Sequence, residues 1–195
     1  MWLTDGTTAG TRRVRDLSPG AGYRAGPRGF TPLGNSVLFT AFDRATGSEL
    51  WMTDGTPGGT RRFLDIMPGA ATSAPRELVR IGNKVYFTAQ TPAVGRELWV
   101  TDGTVAGSKV VVPGSRAGDP NRLTRLGDRL VFLAQPRGFV YSLFVTDGTA
   151  AGTQALQLTG MQSLFAPFTT AGGLAYVPTT TGLAVTDGTI AGTRQ

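Results

Sequence analysis

The chain holds 195 residues, of which 28 are Gly and 12 Pro; 40% are hydrophobic, only 16% are charged, and 10 Phe, 4 Tyr and 3 Trp supply the aromatics. That much Gly and Pro excludes coiled coils and long-helix bundles, whose interiors lose about 1 kcal/mol per Gly and about 3 per Pro, while the apolar content excludes disorder. With no Cys and no His, disulfide frameworks, thiolate zinc sites, cysteine nucleophiles and Ser-His-Asp relays are excluded too, and a net charge of +6 directs attention to anionic partners.

No apolar run approaches the roughly 18 residues needed to span a bilayer. The first residues, Met1 to Gly6, lack the charged region and apolar stretch of a secretory signal, so no signal peptide and no membrane insertion are expected in this chain.

In chain order, the predicted elements repeat. Trp2-Leu3-Thr4 and Thr11–Leu17 read as a leading hairpin over residues 1–17, turning at Thr4-Asp5-Gly6-Thr7. The same Thr-Asp-Gly-Thr string returns with its Asp at Asp54, Asp102, Asp147 and Asp187, at intervals of 49, 48, 45 and 40 residues. After two intervening residues each copy is followed by Gly and then Thr or Ser: Gly10-Thr11, Gly59-Thr60, Gly107-Ser108, Gly152-Thr153 and Gly192-Thr193. Upstream, Leu33-Gly34-Asn35 matches Ile81-Gly82-Asn83 and Leu126-Gly127-Asp128, each leading into a strong apolar run.

One period therefore carries four short strands with turn residues between them, which is the pattern of a propeller blade. In the second period these are Glu77–Ile81, Lys84–Gln90, Arg96–Thr101 and Ser108–Val112, with apolar residues on both faces as a sheet sandwiched between neighbours requires. Three full blades are expected at 30–66, 76–112 and 122–158, with an incomplete one at 164–195 that stops where its outer strand should start. The fold class is all-β: a propeller-type array of about four four-stranded blades. The leading hairpin is surplus to a four-bladed ring, which leaves two arrangements open beside a self-closed monomer: a segment of a larger propeller, or an oligomeric one.

The two middle copies, Glu49-Leu50-Trp51-Met52-Thr53-Asp54-Gly55-Thr56 and Glu97-Leu98-Trp99-Val100-Thr101-Asp102-Gly103-Thr104, resemble the signature of the bacterial ELWxxDGT repeat proteins. The fourth copy departs at Ser142-Leu143-Phe144, and the fifth at Gly182-Leu183-Ala184. The resemblance implies a presumed β-propeller in an exported or cell-surface protein, hence an extracellular location. It implies no chemistry.

Three sets of recurring residues are candidates for function. Asp5, Asp54, Asp102, Asp147 and Asp187 offer one carboxylate per loop, a poor cage for calcium, which takes 6–8 oxygens; each is expected to hold an Asx-type turn. Trp2, Trp51, Trp99 and Phe144 occupy equivalent places, either as aromatics packed between blades or as sugar-stacking platforms. Arg12, Arg13, Arg61, Arg62 and Lys109 follow the loops and form a candidate anion-binding set; the alternative is charge that blunts strand edges. Glu49 and Glu97 share the repeat and are expected to pair with Arg44, Arg96 or an arginine of a neighbouring blade. With 13 acids, five of them in turns, no base, nucleophile or metal cluster emerges, so no catalytic residue, no cofactor and no metal is expected.

The function these residues point to is a non-catalytic structural or interaction module on a secreted or cell-surface repeat protein. Its partner contacts would come from the segments Pro68–Pro75, Thr91–Gly95, Pro113–Pro120 and Gly160–Pro167. The expected partners are a protein or a surface glycan, with self-association through unpaired blade edges and no nucleic acid. A multivalent carbohydrate-binding propeller is one alternative. Another is part of an enzyme domain completed by residues outside this segment.

Overall fold

The computed structural model describes residues 1–17, 26–113, 118–136, 141–158 and 167–195, and among them every regular element is a strand. The leading hairpin pairs β1 (Trp2–Leu3) with β2 (Arg12–Arg13). Three four-stranded antiparallel meanders follow. The first joins β3 (Arg28–Leu33), β4 (Ser36–Asp43), β5 (Gly47–Thr53) and β6 (Arg61–Leu64), and the second β7 (Arg76–Ile81), β8 (Lys84–Thr91), β9 (Gly95–Thr101) and β10 (Lys109–Val110). The third joins β11 (Asn121–Leu126), β12 (Arg129–Ala134), β13 (Ser142–Thr146) and β14 (Gln154–Ala155), and the last sheet has β15 (Thr169–Ala171), β16 (Leu174–Thr179) and β17 (Gly182–Thr186). The last blade was expected to stop before its outer strand. A bridge between Val185 and Arg194 stands at that edge.

Local chemistry sets the turns. Between the first and second strands of each blade, Gly34, Gly82, Gly127 and Gly172 hold φ between +57° and +61°; the first three open turns with positive φ at the first position alone, as in type II′, whereas Gly173 at +76° makes the fourth a type I′ pattern. The inner strands carry a feature the periodic pattern did not reveal. In β3, β7 and β11 the register shifts by a bulge just after the first residue, at Arg28/Thr31, Arg76/Val79 and Asn121/Thr124. The residues in the bulge are Gly29, Glu77 and Arg122 at φ of +68°, +53° and +59°, so two non-glycine residues sit where a side chain costs energy.

Packing is face to face. Phe39, Ala41 and Trp51 of the first blade lie on Leu17 and Met1 of the hairpin. Its other face, Leu38, Leu50 and Met52, meets Val85, Phe87, Ala89 and Trp99 of the second blade. Tyr86, Leu98 and Val100 then meet Leu130, Phe132, Ala134 and Phe144 of the third, whose far face of Val131, Leu133, Leu143 and Val145 meets Ala175, Val177 and Ala184. The inner strands touch in series, β3 to β7, β7 to β11 and β11 to β15. Burying apolar side chains on both faces supplies most of the stabilisation, with about 1.5–3 kcal/mol for each large side chain.

Candidate functional site

The Thr-Asp-Gly-Thr corner has one geometry in all five copies. In the first blade, Asp54 Oδ1 accepts the Thr56 N–H (2.9 Å) and the Thr56 hydroxyl (2.7 Å), and the Thr56 oxygen accepts the Gly59 N–H (2.9 Å). Thr53 Oγ1 accepts the Gly55 N–H (3.0 Å) and shares a hydrogen bond with the Thr60 hydroxyl (2.6 Å), which itself donates to the Thr56 carbonyl. Ser108 makes the same bonds in the third copy, so the hydroxyl is what matters and the Thr methyl is dispensable.

Two glycines are fixed by this corner for different reasons. Gly55 needs its φ of +88°. Gly59 needs space: a Cβ there would lie 2.0 Å from Asp54 Oδ1, because the carboxylate packs against the glycine's Cα. The same close approach recurs between Asp5 and Gly10, Asp102 and Gly107, Asp147 and Gly152, and Asp187 and Gly192.

Hydrogen bonds from the threonine hydroxyl and N–H hold the carboxylates of Asp54, Asp102, Asp147 and Asp187 below their ordinary pKa, and for Asp5 the N–H of Thr7 contributes most. The corners also receive donors from the preceding unit. Arg12 Nη2 donates to the Gly55 carbonyl (2.9 Å), the Tyr86 hydroxyl to that of Asp147 (3.0 Å) and Arg129 Nη1 to that of Gly188 (3.3 Å). Each of these three corners is thus a joint between units as well as a turn within one.

Glu49 is fully buried. Its carboxylate accepts the Ile66 N–H (3.1 Å), the Ser73 N–H (3.1 Å) and the Ser73 hydroxyl (2.7 Å), pinning the connection from β6 to β7. Burial pushes its pKa up and the three donors oppose that shift. Its partners are therefore main-chain and serine donors, where an arginine was expected. Glu97 accepts the Thr91 hydroxyl (3.0 Å), and Arg96 donates to the Ala74 carbonyl and to Thr88 Oγ1.

The aromatics divide. Trp51, Trp99 and Phe144 lie in the packing between units, opposite Phe39, Phe87 and Phe132 at ring-centroid distances of 6.4, 6.1 and 5.6 Å. Trp51 and Phe144 are buried and Trp99 is partly buried, so all three pack between blades. Trp2 departs from the interblade expectation: it is 66% exposed and borders a cleft of about 270 Å³ with Leu3 and Phe30.

The cations after the corners are mostly engaged. Arg12 reaches the next corner, Arg13 pairs with Asp16 (3.6 Å) and Arg62 with Asp65 (3.2 Å). Arg61 is exposed, and Lys109 borders a different cleft with Lys84, Asp102 and Thr149. These five cations do not converge on one pocket.

A second group of cations was not singled out from the sequence. Arg28 and Arg76, the first residues of β3 and β7, border one cleft of about 150 Å³ between the inner strands. The signal that marks them is proline spacing: Gly26-Pro27-Arg28-Gly29, Ala74-Pro75-Arg76-Glu77 and Asp119-Pro120-Asn121-Arg122 repeat at blade period, with positive φ at the first and fourth residues of each. Among the described residues, no group of three or more Asp and Glu is arranged to hold a metal ion.

No protein-family model matches the chain, and no curated protein matches it in sequence. Solved structures do resemble it. TolB from Acinetobacter baumannii is 20% identical over 99% of this chain and 47% of its own length, with a TM-score of 0.57. Puromycin hydrolase, solved in complex with PGG, is 16% identical over 96% of this chain and 30% of its own, with a TM-score of 0.61. Both contain β-propeller domains, and the stacked antiparallel sheets described above place this chain in the same class: an all-β, propeller-type array of blades. The chain spans about half the length of TolB and under a third of puromycin hydrolase.

Proposed function

We propose that the chain is a non-catalytic interaction module of a secreted or cell-surface repeat protein of the ELWxxDGT type, in which rigid blades present connecting segments to a protein partner. The observation that carries this reading is the engagement of the recurring polar groups in the scaffold. All five corner carboxylates accept hydrogen bonds from their own turn, and Glu49 accepts three from the segment it anchors. What varies between blades is left to the connections, of which Pro68–Pro75 and Thr91–Gly95 are described, whereas 114–117 and 160–166 lie outside the described residues.

Self-association belongs to the same proposal. Tyr176, Leu183 and Val185 hold the positions that Leu38, Leu50 and Met52 hold in the first blade, yet Leu183 is 52% exposed and the other two are half-covered. An apolar blade face of this kind is matched by another blade of the same repeat, here from a second copy of the chain. Sedimentation velocity tests it: the mass rises above 20.4 kDa with concentration, and Leu183→Asp returns it to the monomer value. A monomer at every concentration contradicts it. Glycan binding is favoured by one observation, the open indole of Trp2, and a glycan-array signal lost in Trp2→Ala supports that second reading.

A further inference from the structure

The cleft between the inner strands of the first and second blades is bordered by Arg28 and Arg76, with Thr40 and Pro75 among its other walls. Both arginines are exposed, and among the described residues neither guanidinium has a hydrogen bond or an ion pair. Arg12, Arg13 and Arg62 on the outer strands are engaged by carbonyls or carboxylates; what sets the two inner arginines apart from the exposed Arg61 is that they border one cleft.

A third cation stands beside them. Arg76 and Arg96 flank Thr88, Arg76 as its partner across β7 and β8 and Arg96 through a hydrogen bond to Thr88 Oγ1 (3.0 Å). Burial and the nearby positive charge of Arg76 lower the pKa of Arg96. Two acids oppose that shift, Asp119 and Glu77, and Glu77 also borders the cleft. The Glu77 carboxylate accepts the Leu123 N–H of the third inner strand (2.8 Å), which ties it to the neighbouring blade. The Thr40 hydroxyl donates to the Pro75 carbonyl (3.0 Å), tying the two blades together beneath the cleft.

We propose that this cleft binds a tetrahedral oxyanion, a phosphate or sulfate group, held by Arg28 and Arg76. The class follows from the donors. Two guanidinium forks offer two pairs of parallel N–H groups, and a tetrahedral oxyanion has enough oxygens to satisfy both, whereas one carboxylate fills a single fork. A volume of about 150 Å³ holds one such group. The group is either a free anion or an ester on a larger molecule.

The test is titration of inorganic phosphate into the ¹⁵N-labelled 195-residue chain, with inorganic sulfate, acetate and a sulfated oligosaccharide as parallel arms. Shifts are expected at the amides of Gly29 and Leu78. Arg28→Gln and Arg76→Gln should each weaken binding about tenfold, with Arg61→Gln without effect. Both arginines are exposed, so a thermal midpoint close to wild type shows that the variants fold. Tighter binding of the oligosaccharide than of sulfate, counted per sulfate group, identifies an ester as the ligand, and equal binding identifies the free anion. Absence of binding, unchanged affinity in both variants, shifts confined to the outer-strand arginines, or acetate binding as well as phosphate would each overturn the proposal.

Discussion

The Tyr86 hydroxyl donates a hydrogen bond to the main-chain carbonyl of Asp147, 61 residues further along the chain and in the next blade, at 3.0 Å. The ring of Tyr86 is buried between the two sheets, and Gly148 comes so close that a Cβ there would lie 2.4 Å from the phenol oxygen. Tyr86→Phe keeps the packing and removes the bond, so it should cost about 1 kcal/mol. Gly148→Ala should cost more, since it combines that clash with a φ of +92°. Chemical denaturation of the two variants against the parent gives the comparison.

The corner makes a sharper prediction about coupling. Gly59→Ala drives a methyl into the Asp54 carboxylate and should destabilise the chain by about 2 kcal/mol or more. Asp54→Ala removes the obstacle along with the turn's hydrogen bonds. The double variant should therefore be more stable than the sum of the two single effects predicts, with an interaction energy of about 1 kcal/mol or more measured by a double-mutant cycle. Strict additivity would mean that the carboxylate and the glycine do not touch in solution.

Glu49 offers a third. Alanine at this position leaves two main-chain N–H groups and the Ser73 hydroxyl without their acceptor in a buried site, a loss of about 3 kcal/mol. Glutamine keeps the shape but turns an amide NH₂ toward one of those donors, so it should also destabilise. Limited proteolysis should cut both variants between Ile66 and Ser73 faster than the parent, the segment Glu49 anchors.

The pH dependence has two limbs of opposite sign. The corner aspartates have native pKa values below the ordinary value of about 3.9, so they stabilise the fold above that pH. The contribution is lost as the pH falls from there through the lower native values. Glu49 works the other way: its native pKa lies above the ordinary value of about 4.3, so stability declines as the pH rises through that range. Thermal midpoints below pH about 4 should fall less steeply in Thr56→Val, which lacks the hydroxyl that lowers Asp54. Glu49→Gln should flatten the upper limb.

The parts of this architecture visible in the sequence are those written by local chemistry. The Asp-Gly-Thr corners and the Gly-Asn turns carry their own instructions within a few residues, so strand number and order could be read directly. Sheet edges could not. The strand expected at Ser108–Val112 shrinks to Lys109–Val110, with one further bond from the Val111 N–H to the Leu98 carbonyl.

Trp2 and Trp51 share a motif position, yet Trp2 is 66% exposed and Trp51 5%, since Trp51 is covered by Leu17 and Met1, residues far from it in the chain. Glu49 has the same character: its partners are main-chain donors some twenty residues away, invisible to any local pattern.

The central claim is that the repeated aspartates shape the backbone and do no chemistry, and a site-resolved titration reaches it most directly. The side-chain carboxyl carbons of Asp5, Asp54, Asp102, Asp147 and Asp187 can be followed by NMR from neutral to acid pH, with and without calcium. All five should titrate below the ordinary aspartate range and ignore the added ion. An aspartate titrating at or above that range, or several moving together as calcium is added, would contradict the account.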